Sequence, residues 1–201
     1  MQLLKAVEIA GSDGLEITGG GASLLLLVLC GAACVALTGC ATYPPIRTAA
    51  QVDLDRFMGD WRVIAHIPAS IEKEAFNAIE SYERADDGTI ATTFRFNAGA
   101  LDGPEKVYRP RAFVRDDPSN AVWGMRFIWP FKLEYRIVFV DADYTRTVIG
   151  RTKRDYAWIM ARTPQIAPAE LAKLTAILEE EGYDLSKLRM VPHAPRPQSD
   201  R

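Results

Sequence analysis

Residues 54–68 read LDRFMGDWRVIAHIP, and within them Trp61–Ile67 is the first of a series of β-prone segments. Seven more follow at short intervals: Ala78–Arg84, Ile90–Asn97, Lys106–Arg115, Ala121–Ile128, Leu133–Asp141, Thr147–Arg151 and Tyr156–Arg162. Turn chemistry separates them, as in Asp86-Asp87-Gly88, Asp102-Gly103-Pro104, Asp116 to Asn120 and Asp141-Ala142-Asp143. Period-two alternation marks several segments; Trp123, Met125 and Phe127 share one face, as do Phe94 and Phe96 across Arg95. Eight such segments with little helix between them define an all-β domain, an antiparallel meander or a sandwich.

One helix closes the domain. Pro168 suits a first helical position and Gly182 the residue just past the end. Leu171, Leu174, Ile177 and Leu178 form a single apolar stripe, which predicts a helix packed on the outside of the sheet. Glu179, Glu180 and Glu181 are poorly placed at the negative end of that helix.

Working outward, the chain of 201 residues has 48% apolar and 25% charged residues and a formal charge of −2. That composition is globular, with no basic surface for nucleic acid. Two His and three Cys leave too little for a multi-ligand metal site. No G-x-S-x-G, H-E-x-x-H or phosphate-cradling Gly loop accompanies the strands, and no cofactor is expected. His66, with Glu72 and Glu74 nearby in sequence, reads as an outward-facing surface histidine; a general base or a haem ligand is the alternative.

Before the strands, residues 22–37 run without a charge, too short for a membrane span of roughly 20 residues. They fit the apolar core of a secretion signal. The run ends in Leu37-Thr38-Gly39-Cys40, which resembles the lipobox of bacterial lipoproteins. That resemblance implies a signal over residues 1–39, lipidation of Cys40 and, with Ala41 following, sorting to the outer membrane. The basic segment that usually opens a signal is weak here, since Lys5 faces Glu8, Asp13 and Glu16. Residues 1–39 hold one of the 24 basic and three of the 26 acidic residues, so the remainder carries 23 of each. Cys30 and Cys34 leave with the signal, and no disulfide is available to the domain. Residues 40–52 read as the lipidated end and an extended tether, residues 53–191 as the domain, and residues 192–201 as a Pro-rich disordered tail.

Gly59-Asp60-Trp61 alone is a weak motif, since a chance G-x-W arises about 0.3 times in this composition. In order with Asp141-Ala142-Asp143-Tyr144, Tyr156 to Pro164, the helix and the segment GYDLSKL, it resembles the lipocalins, most closely the bacterial outer-membrane lipoprotein type akin to apolipoprotein D. The resemblance spans about residues 53–191. It implies an eight-stranded antiparallel up-and-down barrel with the C-terminal helix outside. In such a barrel Gly59, Trp61, Asp143, Tyr144 and Arg162 fall at one end, where the family stacks an Arg across the Trp ring as a structural plug. The other end is open, with loops near residues 69–75, 102–105, 129–132 and 153–154.

Register carried over from the family turns Val63, Ala65, Phe94, Phe96, Tyr108, Ala112, Trp123, Met125, Phe127, Tyr135, Ile137 and Phe139 inward. Pro110 stands where related proteins carry Gly, so a bulge or a local opening is expected in the fourth strand. The apolar run Phe127 to Phe131 at the open end marks a ligand portal, a partner surface or a membrane contact, unless it folds back onto the core. The implied function is storage or transport of fatty acids or lysophospholipids without turnover. The implied site of action is the outer membrane, reached through N-terminal acyl chains with the domain on the periplasmic face. The alternatives are a lipid-modifying enzyme using His66 and an interaction module that forms a homodimer through the Trp129 loop.

Overall fold

The computed structural model describes residues 44–68, 72 and 74–194. The signal, Cys40 and residues 195–201 lie outside that set. Ten strands form one sheet: β1 (Gly59–Ile67), β2 (Ala75–Arg84), β3 (Ile90–Ala98), β4 (Glu105–Tyr108), β5 (Arg111–Val114), β6 (Val122–Ile128), β7 (Phe131–Val140), β8 (Arg146–Gly150), β9 (Ala157–Ala161) and β10 (Arg189–Met190). Among the described residues two α-helices flank them, α1 (Leu54–Phe57) and α2 (Pro168–Glu180). Sequential strands pair antiparallel, and β9 returns to β1, closing an eight-stranded barrel in which β4 and β5 together make the fourth stave.

The break in that stave is the expected effect of Pro110. Ring closure removes its amide hydrogen, so Arg109 and Pro110 leave the ladder between β4 and β5. Thr92 holds the gap together: both its N–H and its hydroxyl donate to the Pro110 carbonyl, at 3.2 and 2.7 Å.

Alternation builds two cores. Trp61, Val63, Phe94, Phe96, Ala112, Trp123, Met125, Tyr135, Ile137, Trp158 and Met160 pack inside the barrel. Ile64, Ala65, Ile67, Val138, Val148 and Ile159 form an outer seam beneath Leu174, Leu178 and Tyr183. Two bulges correct the family-derived register. The β1–β9 ladder slips between Val63 and Ala65, and the β7–β8 ladder slips between Ile137 and Phe139. One extra residue reverses every side chain beyond it. Ala65 therefore lies in the outer seam, and Phe139 packs against that seam rather than facing the interior. The same slip turns His66 inward, where it is buried beside Trp158 instead of lying on the surface.

The flanking segments are also better ordered than their composition suggests. Within the expected tether, Ile46 and Val52 are buried, and the N–H groups of Ala49 and Val52 donate to Ile137 and Ser119. Arg47 bridges to Glu180 and Glu181, and Arg154 Nε donates to the Glu181 carbonyl at 2.9 Å, so the acidic end of α2 has positive partners from outside the helix. The expected tail begins docked. Val191 donates to Ile64 at 2.9 Å, and Asn77 N–H donates to Pro192 at 2.8 Å. His193 Nε2 lies 2.8 Å from the Val63 carbonyl, and Ala194 N–H donates to the Asn77 side chain at 2.7 Å. Residues 189–194 thereby fill the gap where β1 pairs with β2 only over Gly59–Arg62.

Candidate ligand-binding site

One end of the barrel is sealed. Asp53 caps α1 by accepting from the Asp55 and Arg56 amides, and this short helix lays Phe57 across the barrel mouth against Trp61, Tyr82 and Trp123. Trp61 is fully buried and donates through Nε1 to the Phe57 carbonyl at 2.8 Å. The Arg162 guanidinium stands 3.8 Å over the Trp61 ring. It donates to the carbonyls of Asp60, Arg56, Met58 and Phe57 at 2.8–3.2 Å, and its Nε to that of Tyr144 at 3.2 Å. Gly59, at φ +90°, sets the backbone beside it, and a Cβ there would meet that guanidinium at 3.4 Å. Tyr144 adopts φ +56° and accepts the Asp53 N–H. Asp143 is exposed at the turn. The carboxylate that organises the turn is Asp141, which accepts from Thr145 and Arg146 and is held below its ordinary range by those bonds despite partial burial.

The opposite end opens into a cavity of about 450 Å³. Phe94, Tyr108, Met125, Tyr135, Tyr156 and Trp158 form most of its wall, with Glu72 among them. Phe127, Ile128, Leu133, Glu134, Arg109, Pro110 and Arg151 complete the lining towards the mouth. Of the residues assigned inward from the sequence, Phe94, Tyr108, Met125, Phe127 and Tyr135 line this space. Val63, Phe96, Ala112, Trp123 and Ile137 are interior but serve as packing outside the lining. Ala65 and Phe139 are on the other side of the sheet.

Several interior residues escaped the sequence reading, of which Tyr156 and Trp158 line the cavity. Tyr156, Trp158 and Met160 alternate along one stretch, a pattern that points them to a common face. Ala78, Glu80 and Tyr82 do the same, which puts a carboxyl on the apolar face of β2. Burial, and then the charge of Glu72, pushes the Glu80 carboxyl well above the usual carboxylate range. Burial likewise raises the Tyr82, Tyr135 and Tyr156 phenols, and Tyr82 and Tyr135 share a hydroxyl–hydroxyl hydrogen bond. At the mouth Arg151 pairs with Asp155, with contacts at 2.6 and 3.0 Å. Burial works against ionisation of Glu134, yet bonds from Thr152 and Arg136 hold it below its ordinary value. The hairpin tip does not fold back: Ile128, Trp129 and Phe131 are 74%, 78% and 70% exposed.

A plugged, closed β-barrel with an apolar cup open at one rim defines a small-molecule binding protein of the lipocalin type. A sequence profile of the lipocalin-like domain matches residues 52–193, and the chain belongs to the lipocalin family. It is similar to the outer membrane lipoprotein Blc of Citrobacter freundii, 30% identical over 138 residues that cover 68% of this chain and 76% of the relative. The Blc protein of Escherichia coli K12 is 27% identical over 168 residues, covering 82% and 94%. Among solved structures, insecticyanin of the tobacco hornworm Manduca sexta superposes with a TM-score of 0.60 at 15% identity, covering 76% of this chain and 86% of that one. Lipocalins are generally binding and transport proteins rather than enzymes.

Proposed function

We propose that the protein stores or transports fatty acids or lysophospholipids at the outer membrane, held there through acyl chains on Cys40 with the domain on the periplasmic face. The observation that carries this reading is the mostly apolar cavity of about 450 Å³, open at the end opposite the Arg162–Trp61 plug. A single acyl chain suits that interior, because each buried methylene contributes about 0.8 kcal/mol. Arg109 at the mouth offers a partner for a carboxylate or phosphate that remains near water, while Arg151 is already paired with Asp155. The likeness to outer membrane lipoproteins supports the location. Native mass spectrometry of protein extracted from its own membrane tests the proposal. The expected spectrum shows an acylated Cys40 and one bound single-chain lipid; an unacylated chain free of lipid contradicts it.

The exposed Trp129 tip favours a second reading, in which this hairpin joins two copies of the chain. Concentration-dependent size in solution, abolished by Trp129→Ser, is the result that supports it.

A further inference from the structure

The cavity floor carries chemistry that an acyl chain does not use. Glu80 lies across from Trp61 on β1 and Phe94 on β3, so its side chain shares their inward face. It is 1% exposed, and neither carboxyl oxygen has a hydrogen-bond partner. Glu72 lines the cavity itself, accepting from Trp158 Nε1 at 3.0 Å. His66 Nδ1 sits 3.5 Å from Glu72 Oε2 and also lacks a hydrogen-bond partner. Burying an unpaired carboxyl is costly, and a barrel selected only for apolar cargo gains nothing from it.

Four rings line the cavity with Glu72, and one of them, Phe94, is also the cross-strand neighbour of Glu80. Phe94, Tyr108, Tyr156 and Trp158 line the same space, with centroids 5.1 Å apart for Phe94–Trp158, 5.2 Å for Tyr156–Trp158 and 6.5 Å for Phe94–Tyr108. Aromatic faces beside a carboxylate are the environment that attracts ammonium groups. At the rim Phe127, Ile128 and Leu133 are exposed apolar side chains, set beside Arg109, Glu134 and Arg151. Carboxyls and ring faces inside, with apolar side chains available at the rim, suit an amphiphile seated with its cation inside and its tail along Phe127, Ile128 and Leu133.

We propose that Glu72, lining the cavity with Phe94, Tyr108, Tyr156 and Trp158, and Glu80, on the same inward face beside Phe94, form a cation subsite for the ammonium or quaternary ammonium group of a lipophilic amine. The assignment rests on the carrier reading of the same cavity and adds a ligand class to it. The titratable groups in electrostatic reach of Glu80 are Glu72, Tyr82, Tyr135 and Tyr156, with His66 beside Glu72. A cation seated there favours the ionised Glu80, so binding releases a proton to solvent.

Calorimetric titration with dodecyltrimethylammonium, dodecanoate and dodecanol, all below micellar concentration, tests the subsite. The trimethylammonium compound is expected to bind at least about tenfold tighter than dodecanol. Its heat should depend on the buffer's ionisation enthalpy in the sense of proton release. In a Glu72→Gln/Glu80→Gln double variant, with thermal unfolding as the check on folding, that preference should fall below about twofold. Equal affinity for cation and alcohol in the wild-type protein, or a preference that survives in a folded double variant, overturns the subsite. Binding of dodecanoate and dodecanol without preference for the ammonium refutes the subsite and leaves the carrier reading standing. Failure of all three probes to bind refutes both.

Discussion

Arg162 shows how much one side chain can decide. Its guanidinium satisfies backbone carbonyls from α1, β1 and the β7–β8 turn while stacking on Trp61, so it ties three separate segments across one end of the barrel. Replacement by Leu leaves those carbonyls without donors near a buried indole. The expected loss is about 2–4 kcal/mol in urea unfolding, with ligand affinity at the far end little changed. Gly59→Ala forces a side chain into φ +90° and towards Arg162, and should cost about 1–3 kcal/mol in the same assay. Glu80 gives a pH signature. Its folded-state carboxyl stays protonated well above the ordinary value of 4.5, because burial and then Glu72 disfavour the charge. The unfolded chain ionises first, so its stabilising effect is complete below 4.5 and is lost as pH rises towards the folded value. Stability measured from pH 5 upward should decline more steeply in the wild type than in Glu80→Gln; parallel curves would contradict this.

At the scale of elements, what could be read from sequence was whatever local pattern controls. The strands, their turns and α2 follow from alternation, from turn residues such as Asp86-Asp87-Gly88, and from the Leu171–Leu178 stripe. Pro110 announced the broken fourth stave because a proline cannot donate to a ladder. The bulges at Ile64 and Val138 left no comparable mark. Both sit in continuous apolar runs, where Val63-Ile64-Ala65 and Ile137-Val138-Phe139 look alike on either face of the sheet. Those two slips account for the reversed placement of Ala65, His66 and Phe139. The docked segment 189–194 was equally hidden, since its attachment depends on backbone groups that β1 and β2 leave unpaired once they diverge. Truncation after Leu188 removes β10, exposes the site of the buried Val191 and frees the carbonyls of Val63 and Ile64. The truncated chain should unfold at lower urea, by about 2–4 kcal/mol, and exchange the β1 and β2 amides faster. Unaltered exchange would show that the segment only rests on the barrel.

For the molecule as a whole, the closed barrel separates stability from binding. The plug of Arg162, Trp61 and Phe57 sits at one end, and the cavity with its exposed Phe127–Leu133 rim sits at the other. Cavity depth depends on Met125, Tyr135 and Trp158 standing above the packed layer of Trp123 and Ile137. Trp158 is thus the natural reporter for a ligand, whereas Trp123 is packed between Phe57, Tyr82 and Tyr135 and should respond weakly. The most direct measurement is a titration with palmitate or lysophosphatidylcholine, followed by tryptophan emission, on the wild type and on a Met125→Trp variant that fills the interior. Saturation at one equivalent in the micromolar range, lost in the Trp158→Phe signal and abolished in the filled barrel, is the predicted result. Undiminished binding after Met125→Trp, or no saturable response in the wild-type protein, would contradict it.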